Sequence, residues 1–184
     1  MSLIFFERVD FVLKKILFTG VGTAIATPFN SNGINIPAFE KLLSFQLLNS
    51  VDSIVVCGTT GEASTMSDDE KSSVIKCAVD FVDRKVPIIV GCGSNDTNKA
   101  IFNAKMAESL GADGLLVVTP YYNKCTQSGL IKHYSKIADS VSIPIILYNV
   151  PSRTGVNIEP ETCFELSKIS NIVAIKEASG NISQ

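Results

Sequence analysis

The chain has 184 residues, of which 46% are hydrophobic and 18% charged, enough for one domain with a substantial core. Sixteen basic side chains stand against eighteen acidic ones, a net charge of −2, so the basic surface that nucleic-acid binding demands is missing. No segment is compositionally biased toward a linker, a fibrous repeat or a disordered tail.

Residues 1–17 read as a leader of uncertain origin. Its apolar runs are broken by Glu7, Arg8, Asp10, Lys14 and Lys15, so neither export nor membrane insertion is expected. Phe5, Val9, Val12 and Ile16 fall at helical spacing, which leaves a short helix and a disordered leader both open.

From Gly20 onward short apolar runs alternate with longer segments of helical period. Strands are predicted at Gly22–Thr27, Ser53–Cys57, Pro87–Gly91, Gly114–Thr119, Pro144–Asn149 and Ile172–Lys176. They recur about every thirty residues, the length of a βα unit. Between them, Ser67 and Glu70 form a capping box, Gly111 stops the third helix, and Pro160 opens the fifth crossover helix. The fold class is therefore parallel α/β over residues 18–184, and periodicity alone does not separate an open doubly wound sheet from part of an eight-stranded barrel. A (β/α)8 barrel normally needs about 250 residues. The expectation is a TIM (β/α)8 barrel of which about six βα units are present, with β-sheet edges left at the first and sixth strands.

The site of a parallel α/β fold lies at the carboxyl ends of its strands. Here those ends are polar: Gly58-Thr59-Thr60-Gly61-Glu62, Thr119-Pro120-Tyr121-Tyr122-Asn123, Tyr148-Asn149-Val150-Pro151-Ser152-Arg153-Thr154-Gly155 and Ile175-Lys176-Glu177. Lys176 ends an apolar run, where desolvation would free the neutral amine that adds to a carbonyl. Pairing with Glu177 or extension to water is the alternative, weakened because alternation sends the two side chains to opposite faces. The Gly58–Gly61 turn is either a plain tight turn or a cradle of N–H groups and hydroxyls for a carboxylate. Tyr122 and Tyr148 read as core aromatics or as phenols able to pass protons, and Arg153 as a surface cation or a bidentate carboxylate partner. His133, among Leu130, Ile131, Tyr134 and Ile137, is assigned a structural role. The five cysteines are odd in number and scattered, which predicts reduced thiols; with a single histidine, no zinc site is expected.

Those four strand-end segments, in this order, resemble the dihydrodipicolinate synthase family of pyruvate-dependent Schiff-base aldolases. The arginine after Tyr-Asn-Val-Pro-Ser favours the synthase over N-acetylneuraminate lyase. The resemblance implies condensation of pyruvate with L-aspartate 4-semialdehyde in lysine and diaminopimelate biosynthesis, in the cytoplasm, with no metal or organic cofactor. It assigns the imine to Lys176, proton exchange to Tyr148, a relay to Thr59 and to Tyr122 from a partner subunit, the pyruvate carboxylate to Thr59 and Thr60, and the semialdehyde carboxylate to Arg153. It further implies a homo-oligomer, a dimer of dimers in the complete family enzyme. At the positions of the family's lysine-feedback site stand Asp68, Lys71 and Lys99 beside the matching Asn95 and Tyr121; Lys99 in place of a glutamate would repel that inhibitor. Another pyruvate-dependent aldolase and a catalytically impaired fragment remain the competing readings.

Overall fold

The computed structural model describes residue 14 and residues 16–184, so the leader lies outside the described residues except for Lys14, Ile16 and Leu17. All six predicted strands are present. They are β1 (Gly22–Ala24), β4 (Ser53–Val56), β5 (Ile88–Gly91), β6 (Gly114–Val118), β7 (Ile145–Asn149) and β8 (Ile172–Glu177), and each pairs in parallel with the next. Between β1 and the first helix lies a small antiparallel hairpin, β2 (Phe29–Asn30) with β3 (Gly33–Ile34), which the sequence reading did not include.

The sheet order is β1-β4-β5-β6-β7-β8. A doubly wound sheet reverses its strand order at a switch point. Here the order never reverses, which is the progression of a (β/α)8 barrel. Among the described residues the first and last strands, β1 and β8, are the sheet's edges, as expected.

Five helices cover the outer face and link the strands: α1 (Ile36–Leu48), α2 (Asp68–Val82), α3 (Thr97–Ser109), α4 (Gln127–Ala138) and α6 (Pro160–Ser167). A further one-turn helix, α5 (Pro151–Thr154), follows β7. The helix signals act as read. Ser67 Oγ accepts the Glu70 N–H while the Glu70 carboxylate takes the Ser67 N–H at 2.8 Å. Gly111 adopts φ +92° just beyond α3, a conformation that would strain any side chain.

Period-two alternation divides the apolar residues into two layers. Ile54, Ile88, Leu115, Ile145 and Leu147 point outward and pack with Phe39, Leu43 and Ile137 of the helices; all are fully buried or nearly so. Each such side chain contributes roughly 1.5–3 kcal/mol of hydrophobic burial. Ile89, Leu116, Ile146, Tyr148 and Val150 form a smaller inner cluster, closed by Leu17 and Phe18 and by Val55 and Val118. Buried polar contacts tie the outer layers: Tyr134 Oη donates to the Val117 carbonyl at 3.0 Å, and Asn103 Nδ2 to the Cys92 carbonyl at 3.2 Å. His133, buried in α4, meets Thr97 Oγ1 through Nδ1 at 2.9 Å, the structural role expected of it. All five cysteines are free; Cys57 and Cys92 are buried.

Candidate active site

At the end of β4 the chain turns sharply through Cys57 at φ 53°. The Gly58–Gly61 turn is closed by the Gly61 N–H to the Gly58 carbonyl at 3.1 Å and the Glu62 N–H to the Thr59 carbonyl at 3.2 Å. Thr27 Oγ1 donates to the Gly61 carbonyl at 2.8 Å, fastening the turn to the segment after β1. A Cβ on Gly61 would stand only 3.2 Å from the Ile25 carbonyl oxygen, so a residue without a side chain suits this approach. Gly91, at the end of β5, is tighter still: its Cβ would lie 2.2 Å from the Cys57 carbonyl oxygen. Backbone is thus packed on backbone where the strands end, and Thr59 and Thr60 are left exposed.

Above these ends lies a cleft of about 430 Å³ whose lining includes Thr59, Tyr148 and Arg153. The chain therefore gathers one residue from the end of β4 and two from the segment that ends and follows β7. Arg153 is exposed on α5; Pro151 at its first position fixes the helical φ, and the Gly155 N–H closes it onto the Pro151 carbonyl at 2.8 Å. Lys71, Lys99 and Tyr121 line the same cleft. Lys99 is bound to Asp68, and this hydrogen bond holds the Asp68 carboxyl below its ordinary value. Burial pushes the Cys57 thiol up to about 12, with Lys71 offsetting part of the effect, which leaves Cys57 a poor nucleophile.

Lys176 does not line this cleft. It opens onto the adjoining concavity of the sheet's inner face, which meets the cleft at Leu116. There Lys176 pairs directly across β7 and β8 with Tyr148, and its Nζ stands 4.4 Å from the centroid of the Tyr148 ring. Such a contact is a cation–π attraction for an ammonium. The desolvated surroundings expected for Lys176 are absent: the side chain is exposed. The reason is positional. Among the described residues β8 has a neighbour on one side only, and the inner face beyond it is open. Glu177, as alternation required, turns the other way, its carboxylate accepting from Asn149 Nδ2 at 2.9 Å and the Ser179 N–H at 2.6 Å.

Two other candidates also stand apart. Thr60 shares the turn with Thr59 without lining the cleft, and Tyr122 is 91% exposed at φ 72° in the loop after β6. The residues missed by sequence reasoning are those behind the pair. Asn149 is fully buried, with Nδ2 bonded to Asn157 as well as Glu177 and Oδ1 accepting the Ile158 N–H at 2.9 Å. The signal available for it was the alternation that places Asn149 beside Glu177 whenever Tyr148 stands beside Lys176.

Comparison with known proteins gives a consistent result. The model of the dihydrodipicolinate synthetase family matches residues 17–184. The 4-hydroxy-tetrahydrodipicolinate synthase of Acetivibrio thermocellus is 55% identical over 169 residues, 92% of this chain and 58% of that protein. That of Caldicellulosiruptor saccharolyticus is 57% identical over 169 residues, 91% of this chain and 57% of the relative. Among solved structures, dihydrodipicolinate synthase from Thermotoga maritima superposes with a TM-score of 0.90 at 47% identity, over 92% of this chain and 58% of the other. The chloride-inhibited enzyme from Acinetobacter baumannii, complexed with pyruvate, gives 0.87 at 47% identity, over 89% and 57%. The chain spans a little under three fifths of the length of these relatives. With the sheet order of a (β/α)8 barrel and a family match that runs from Leu17 to Gln184, the chain belongs to the dihydrodipicolinate synthetase family.

Proposed function

We propose that the chain is a carbon–carbon lyase that condenses pyruvate with L-aspartate 4-semialdehyde through an imine at Lys176. The observation that carries this reading is the Lys176–Tyr148 pair, an amine held 4.4 Å above a phenol ring at the carboxyl ends of adjacent strands. The Acinetobacter relative, complexed with pyruvate, lends support.

In this reading the neutral Lys176 amine adds to the pyruvate ketone, and the carbinolamine takes up a proton on its hydroxyl and loses water, giving a protonated imine. Loss of a methyl proton yields the enamine, with the imine nitrogen taking up the electron pair. The enamine carbon attacks the semialdehyde carbonyl. The semialdehyde's amino group then closes onto the imine carbon, frees Lys176 and releases 4-hydroxytetrahydrodipicolinate, with one water formed overall. Tyr148 passes protons at the nitrogen, with Thr59 and Tyr122 completing a relay. The exposure of Tyr122 suits delivery from a second copy of the chain in a homo-oligomer. Thr59 and Thr60 hold the pyruvate carboxylate and Arg153 that of the semialdehyde, in which bidentate geometry favours arginine. Among the described residues no helix is long and apolar enough to cross a membrane; the cytoplasmic location belongs to the biosynthetic role proposed here.

Turnover decides between this and its competitors. Product from pyruvate plus aspartate semialdehyde supports the synthase. Cleavage of acetylneuraminate in its place assigns the neighbouring lyase, and a folded chain that turns over neither is an impaired fragment.

A further inference from the structure

We propose that Asn149 and Glu177 are positioning residues that hold Lys176 over Tyr148, a role whose catalytic meaning rests on the function proposed above. The two pairs are consecutive in the β7–β8 ladder: Tyr148 opposes Lys176, and Asn149 opposes Glu177. Alternation turns the first pair toward the concave face and the second toward the loop behind it. A bond between the second pair therefore fixes the register of the first.

This register needs fixing, because the ladder of β8 with β7 is irregular at Ile145/Ile146. A slip of one residue would send Lys176 to the opposite face. The far end of the strand is tied three ways. Asn149 Nδ2 donates to Glu177 Oε2 at 2.9 Å, the Ala178 N–H reaches the Asn149 carbonyl at 2.9 Å, and Glu177 Oε1 accepts the Ser179 N–H at 2.6 Å. Asn149 in turn is locked by Asn157 Oδ1 at 2.8 Å and the Ile158 N–H at 2.9 Å, so it cannot turn away without leaving buried groups unpaired. The same asparagine thus joins the β8 terminus to the segment that follows α5 and Arg153.

The test uses the 184-residue chain with lysine labelled at the ε-carbon, in wild type, Glu177→Gln, Glu177→Ala and a remote control, Glu165→Ala. Glu177 is exposed, and Glu177→Gln keeps its shape. The first readout needs no substrate. The Lys176 ε-methylene signal, assigned by its loss in Lys176→Arg, is expected upfield of the other lysines from the Tyr148 ring current. It should move toward them in Glu177→Gln, further in Glu177→Ala, and stay in Glu165→Ala. The second readout is the rate of reductive pyruvate trapping at Lys176, expected to fall about tenfold in Glu177→Ala, as misplacing a reacting group does. An unmoved signal in folded Glu177→Ala overturns the proposal, and so does a moved signal with unchanged trapping. Absence of trapping in wild type, with the signal shifting as expected, overturns the proposed reaction and leaves the register role standing.

Discussion

β7 and β8 lie side by side, both mostly apolar, yet every residue of β7 is buried while β8 ends with Lys176 and Glu177 exposed. β7 has a strand on each side, and its Ile145 and Leu147 sit in the core shared with the helices; among the described residues β8 has β7 alone beside it, with α6 packed behind. Burial in a parallel sheet is thus conferred by neighbours and not by a strand's own residues. The buried member of the pair supplies Tyr148 and the open member supplies Lys176, so the candidate site joins a buried phenol ring to an accessible amine.

The largest expected effect sharpens this contrast. Leu147→Ala, at a β7 position 1% exposed, should cost about 3 kcal/mol, whereas half-buried Ile175→Ala in β8 should cost less than about half of that. Urea unfolding of both variants checks the order, and equal losses would break it.

The helix-covered side also carries an acid-sensitive group. Burial holds the His133 imidazole down at about 4, nearby Asp96 offsetting only part of the effect. The unfolded chain, with histidine near 6.5, binds the extra proton first, so stability should fall by roughly 2–3 kcal/mol as the pH drops from about 6.5 to about 4. His133→Gln should flatten that interval in thermal or urea unfolding, and an unchanged slope would assign the acid sensitivity elsewhere.

On the open side, Arg153→Ala should weaken semialdehyde use tenfold or more while leaving pyruvate trapping near wild type. Charge-assisted carboxylate contacts are worth about 1.5–3 kcal/mol. Steady-state kinetics in both substrates, in whichever family-length chain turns over, reads the difference; equal loss in both would move Arg153 out of the semialdehyde site. The smallest expected effect is association of the 184-residue chain through its edges at β1 and β8, seen as concentration-dependent sedimentation. Ala174→Glu, an inward charge on the edge strand, should reduce it. A wild-type chain monomeric at every concentration would show the edges to be protected.

How much of this was legible beforehand follows the same division. The six strands could be read because strands buried on both faces are nearly continuous apolar runs, and the caps at Ser67 and Gly111 act through local backbone geometry. Periodicity does not encode strand order, so the barrel was preferred to a doubly wound sheet on chain length and the family resemblance, and the unreversed order β1-β4-β5-β6-β7-β8 agrees with it. The β2–β3 hairpin has two residues per strand, too few to display alternation, and α5 is a single turn marked only by Pro151. The exposure of Lys176 was misjudged for the reason β8 illustrates: the residue before it reports the face, and the neighbouring strand decides the solvent. Asn149 and Glu177 were visible as letters of a motif, but their bond needed the register.

The central claim is tested most directly by pyruvate and borohydride on the folded 184-residue chain, with the modified residue located by peptide mass mapping. The account predicts one reduced adduct, on Lys176, and its loss in Lys176→Ala. An adduct on another lysine, or equal trapping in folded Lys176→Ala, would contradict it.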